Sequence, residues 1–207
     1  MGELRIVAAI IVFLAIVGTA NFAITIFQKN DLREETFLEE KEVIAVPLKA
    51  HIVKDPSSDF DSNRTKENVE QLFAEVNRIW DAGKISFEPE IAETFIEKNA
   101  IEKMVEKDET EGIITNENFA SEQINVFFVK RLGKVNGIAI TKANIALVAD
   151  KTTVHDYRAT AHELGHLLGL KHSPIKERLT AQGCNGEVLT EEEIETARGN
   201  ALAFSNN

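Results

Sequence analysis

Three histidines and a glutamate fall within eleven residues, His162-Glu163-Leu164-Gly165-His166-Leu167-Leu168-Gly169-Leu170-Lys171-His172, and few backbone paths suit that spacing. On an α-helix His162 and His166, four apart, stand one turn above the other on a single face, close enough for both rings to reach one metal ion. Glu163 then flanks the ion without ligating it. Gly169 can adopt the left-handed conformation that ends a helix, and a sharp turn there brings His172 back as a third ligand. The alternative is an amphipathic helix with incidental histidines. With five histidines in 207 residues, the pattern's five fixed positions arise by chance in on the order of one such chain in 100,000. The ion-binding reading is therefore the stronger one.

Three nitrogen ligands suit Zn2+ and leave one coordination position open for a water whose pKa falls toward about 7. Glu163 is placed to take that proton and pass it on to a leaving amine. The string resembles the HExxHxxGxxH signature of the metzincin zinc endopeptidases, and its neighbours resemble the matrixin branch most. Residues 128–172, read as strand, turn, strand, Asp-containing loop and helix, follow that family's order, and the resemblance covers residues 42–204. It implies an α+β zincin domain: a mixed, twisted β-sheet, an active-site helix and a C-terminal helix. It also implies a peptide or protein substrate, an edge strand that pairs with it, and a pocket walled by residues 173–187. The family carries a methionine in a tight turn after the third histidine. Here residues 178–183 resemble that turn, Thr180 stands at the methionine's place, and the only methionines are Met1 and Met104.

Residues 6–27 form an uncharged stretch of 22 residues with only Thr19, Asn21 and Thr25 as polar side chains. As a helix it is about 33 Å long, just over a bilayer's hydrocarbon thickness. One transmembrane anchor, residues 1–28, is expected. The rival is a signal peptide cut after Gly18 and Ala20, giving a secreted enzyme, but the apolar run continues past that point. Arg5 lies on one side and Lys29, Arg33 and Lys41 on the other, so charge does not orient the span; extracytoplasmic placement is what the resemblance implies. Residues 29–42 read as a charged spacer and 43–207 as the zinc metalloprotease domain, a size that can bury a core.

A net charge of −11 with no basic stripe argues against a nucleic-acid partner. The single cysteine, Cys184, excludes an internal disulfide and reads as a passive thiol. Acidic residues are plentiful but none has a calcium-loop spacing, so neither structural Ca2+ nor a second zinc is assigned. Oligomeric state is likewise unassigned.

Alternation through 42–54 predicts a strand, with His51 an ordinary member of it. Val69, Leu72, Phe73, Val76, Ile79 and Trp80 recur at helical spacing before Gly83. Residues 85–91, 123–129, 135–141 and 144–148 read as strands and 96–107 as a charged helix or long surface excursion, with 144–149 either the substrate-pairing edge that the resemblance implies or an ordinary sheet strand. Thr153 to Asp156 form a Ser/Thr-x-x-acid cap before the metal helix, and Thr190 with Glu193 a second before a closing helix carrying Ile194, Ala197, Ala201 and Leu202. Together these readings predict a membrane-anchored zinc endopeptidase, with His162, His166 and His172 as ligands and Glu163 as general base. The alternative is a proteolytically silent zinc-binding membrane protein that uses the fold for partner recognition.

Overall fold

The computed structural model describes residues 41–205 except 57 and 108. The expected span at 6–27 lies outside the described residues, as does most of the spacer. Among the described residues, no helix is long and apolar enough to cross a membrane.

A five-stranded mixed sheet organises the α+β domain. Its strands are β1 (Ile44–Lys54), β2 (Ile85–Phe95), β3 (Ile124–Val129), β4 (Gly137–Ile140) and β5 (Ile145–Ala149), in the spatial order β2-β1-β3-β5-β4. Strands β1, β2, β3 and β5 run parallel to one another, and β4 alone is antiparallel, Gly137 opposite Val148 and Ile140 opposite Ile145. Parallel neighbours need a crossover. Helix α1 (Lys66–Trp80) connects β1 to β2, and α2 (Lys98–Lys107) with the single turn α3 (Glu111–Ile114) leads from β2 to β3.

Side chains alternate across the pleat, so the sheet separates two cores. On one face Val46, Leu48, Ala50 and Ile52 of β1, Val126 and Phe128 of β3 and Val148 of β5 pack against α1, α4 (Asp156–Leu167) and α5 (Glu191–Ser205). On the other, Val53, Phe127, Val129, Ile145 and Leu147 meet Ile101 and Met104 of α2 and Ile113 of α3. Helix α1 buries all six residues predicted from its period, each stabilising the fold by about 1.5–3 kcal/mol relative to exposure. Its first turn is closed by a capping box in which the Thr65 hydroxyl accepts from the Asn68 N–H and the Asn68 side chain accepts from Thr65.

Two expectations are corrected. Residues 144–149 are not an edge: β5 pairs with β3 on one side and β4 on the other, and all five of its residues are buried. Its unbroken Ile-Ala-Leu-Val-Ala run is covered on both faces, and the half-buried β4 is the edge on that side of the sheet. The cap expected at Thr153 to Asp156 does not form. His155 occupies the N-cap of α4 without a side-chain bond. The Thr153 N–H and hydroxyl are instead taken by the Asn136 side chain, and an Asp156 oxygen accepts from the Tyr157 N–H. As the first helical residue, Asp156 still complements the helix dipole. In α5 the Thr190–Glu193 box forms as expected and Ala197 and Ala201 are buried, but Leu202 faces solvent.

Candidate functional site

Helix α4 is held at both ends. The buried Arg64 guanidinium donates to Asp156 at 2.9 Å at the start, and from α5 the Asn200 amide donates to the Leu168 carbonyl at 3.0 Å at the finish. The finish is a Schellman turn: the Leu170 N–H reaches the Gly165 carbonyl, the Gly169 N–H reaches the His166 carbonyl, and Gly169 has φ +87°. That reversal places His172 beside the helix.

The three histidines converge as the spacing predicts. His166 Nε2 lies 3.0 Å from His162 Nε2 and 3.0 Å from His172 Nε2, an arrangement that could hold one metal ion. The other ring nitrogens decide the protonation. His162 Nδ1 is 2.8 Å from the Leu179 carbonyl and His166 Nδ1 is 2.8 Å from the Leu170 carbonyl. A carbonyl only accepts, so each Nδ1 carries a proton and each neutral ring presents a lone pair at Nε2. Two facing lone pairs at that distance repel unless a cation lies between them, so this donor set fits a divalent metal. Burial pushes His162 down to about 4 and also lowers His166, which favours the neutral, metal-binding rings.

Glu163 packs against Gly137 of β4. A methyl group on Gly137 would stand 2.7 Å from Glu163 Oε1, so this carboxyl fits only because that residue has no side chain. Glu163 is 7 % exposed. Burial pushes its carboxyl up to about 8, partly opposed by the Arg158 cation. The cleft of about 460 Å³ contains all three histidines and Glu163, with Gly137 and Ala139 of β4 along one side and Gln182 and Gly183 of the loop after His172 along another. Such a cleft can seat an extended chain across a metal and a proton-transferring carboxyl.

Arg158, one turn before His162, had no role assignable from the sequence. It is 2 % exposed. Its Nε donates to the Gly186 carbonyl at 3.1 Å, and its Nη2 to the carbonyls of Arg178, Leu179 and Ala181. Because Leu179 also accepts from His162, one carbonyl links the guanidinium to a candidate ligand. The only sequence signal was the i, i+4 spacing that puts Arg158 on the His162 face. Gly137 carried no signal, since its need arises from the packing of β4 on α4.

The other singled-out residues lie elsewhere. His51 is buried, Nδ1 2.9 Å from Thr94 Oγ1 and Nε2 3.0 Å from Asn125 Oδ1, as a structural strand residue. His155 is exposed, stacks on Tyr157, and is not among the converging group. Cys184 is a free, half-buried thiol in the loop. Thr180 is fully buried with its hydroxyl unpartnered among the described residues, and a methyl on Gly165 would lie 3.8 Å from its Cγ2.

No protein-family model matches the chain, and no curated protein matches it. Among solved structures it is similar to metalloproteinase-II from Bacteroides fragilis, at 15 % identity and TM-score 0.48, covering 78 % of this chain and 55 % of that one. The chain thus spans about half the length of that protein. It is similar also to archaemetzincin from Methanopyrus kandleri, at 16 % identity and TM-score 0.46 over 79 % of this chain and 98 % of that one. A third is a zinc-dependent peptidase from Methanocorpusculum labreanum, at 10 % identity and TM-score 0.43 over 73 % and 99 %.

Proposed function

We propose that this chain is a zinc-dependent endopeptidase of the metzincin type, with His162, His166 and His172 holding one zinc ion and Glu163 moving the proton. The observation that carries the reading is the pair of imidazoles whose Nδ1 protons are committed to backbone carbonyls while their Nε2 lone pairs face each other at 3.0 Å. Zinc supplies Lewis acidity, which activates water and polarises a peptide carbonyl. The protein's own groups do the rest. The Leu179 and Leu170 carbonyls fix the tautomers and ring orientations. Glu163, beside the proposed ligands in the cleft, takes a proton from the attacking water and returns it to the departing amine. Among the described residues β4 pairs only with β5, so its outer main-chain groups are available to an extended peptide, whatever its sequence.

The finer reading places the chain in the matrixin branch, with Thr180 at the methionine's place. Residues 6–27 anchor it in a membrane, with the catalytic domain outside the cytoplasm; the apolar run supports the anchor and the family resemblance the side.

The test uses the full chain in detergent, loaded with zinc, acting on an unfolded protein. Internal cleavage should disappear with a chelator and in Glu163→Gln, while that variant retains its zinc. Equal cleavage by the variant refutes the role of Glu163, and no cleavage by the zinc-loaded parent establishes a silent zinc protein. Cleavage only at free N-termini makes it an aminopeptidase.

A further inference from the structure

The guanidinium of Arg158 sits in the candidate cleft, is almost entirely buried, and has no ion-pair partner among the described residues. Its hydrogen bonds are unevenly divided. Nε and Nη2 are taken up by four loop carbonyls, but Nη1 donates to none of the described residues. It is also absent from the nitrogens and oxygens that are both buried and unpartnered, so it is not fully enclosed. The loop clamp thus accounts for Nε and Nη2 and leaves Nη1 without a described acceptor, in a residue that lines the cleft.

We propose that Arg158 makes this cleft a receptor for a carboxylate of the bound chain, selecting peptides that present an acidic side chain or a free C-terminus to the space beside Glu163. The inference rests on the peptidase reading for the identity of the bound chain. The hydrogen bonds of Arg158 go only to neutral carbonyls, and although Glu163 and Glu187 are near enough to favour its charged form, burial outweighs them; an incoming carboxylate adds a charge-assisted hydrogen bond that an amide or an alkyl group cannot match. Clamping favours this use, because a guanidinium already fixed on two nitrogens loses little freedom when it binds a third group. Lys134, exposed at the rim of the same cleft, adds a second positive charge. The whole chain carries −11, so its distant field repels acidic peptides. Selection therefore acts at contact, where salt screens little.

The zinc-loaded Glu163→Gln full chain in detergent, immobilised, is offered a random peptide display library, and the retained peptides are sequenced. Synthetic pairs then compare Glu with Gln at the enriched position, and a free with an amidated C-terminus, which separates the two sources of carboxylate. One pair should show the acid binding at least about tenfold more tightly. The preference should shrink below about twofold in Arg158→Met and persist in part in Arg158→Lys, as a charge-assisted contact requires. Equal affinity within both pairs, or binding of no peptide, overturns the inference. If Arg158→Met fails to fold, the ratio in the protein with Arg158 intact decides alone. Cleavage of the same peptides by the unaltered chain runs in parallel. Acid-selective binding without cleavage removes the peptidase reading and keeps the carboxylate receptor; cleavage without acid preference does the reverse.

Discussion

On the proposed function, Gly137→Ala should disable the site while leaving zinc binding intact. The glycine has no positive φ, so alanine is free to adopt its backbone conformation and the effect is steric alone. The added Cβ would lie 2.7 Å from Glu163 Cγ, 2.7 Å from Oε1 and 2.9 Å from Cδ. Ordinary carbon contacts are about 3.5–4.0 Å, so the carboxyl or β4 must move by roughly 1 Å. Overpacking of this kind costs about 1–3 kcal/mol, and each kcal/mol lowers Tm by roughly 2–4 °C in a domain of this size. The larger effect falls on turnover, because a displacement of about 1 Å in a catalytic group costs on the order of 10²-fold. The histidines are not among the atoms nearest that Cβ. Thermal melting, elemental zinc and peptide turnover would be measured on the same preparation. A modest fall in Tm, full zinc content and a roughly hundredfold loss of kcat are expected. Turnover within about threefold of the parent would refute the close-contact reasoning, and loss of zinc together with activity would show that the ligands had moved.

His51 ties stability to pH. It stacks on Phe127 with centroids 4.2 Å apart, and burial holds it at about 4 against an ordinary 6.5. Above pH 6.5 both folded and unfolded chains are neutral there; between 6.5 and 4 only the unfolded chain takes the proton. Stability therefore falls with pH across that window, by about 3 kcal/mol in total. Denaturant melts from pH 7 to 4 should show a shallower slope in His51→Gln than in the parent, and identical slopes would contradict the assignment. Thr190→Ala removes the hydroxyl that accepts from the Glu193 N–H at 3.1 Å, and should lower unfolding stability by about 1 kcal/mol. Gly199→Ala, in the middle of α5 with nothing within 4 Å of the new Cβ, should raise it by roughly 0.8–1 kcal/mol in the same measurement.

Local periodicity carried much of the fold. The α1 face, the Thr190–Glu193 cap and the turn at Gly169 each depend on residues within a few positions of one another, and each forms as the sequence predicts. The edge strand was misread because pairing order is set by distant segments: nothing within 144–149 says that residues 137–140 will lie outside it. The cap at Thr153 failed for a similar reason, since Asn136 from the preceding strand region competes for the hydroxyl. At the site, the i, i+4 spacing revealed His162 and His166 but not the carbonyls that orient them. Leu179 is 17 residues beyond His162 and contributes only its backbone. Gly137 and Arg158 depend in the same way on β4 and on the loop after His172, neither of which has a local signature.

Elemental analysis of the purified full chain and of His162→Ala, His166→Ala and His172→Ala, each checked for folding by circular dichroism, tests the shared metal site most directly. The parent should hold one zinc per chain after dialysis against metal-free buffer, and each folded variant should lose it. Retention of zinc by any two of the three variants, or none bound by a folded parent supplied with zinc, would contradict a single ion gripped by all three rings.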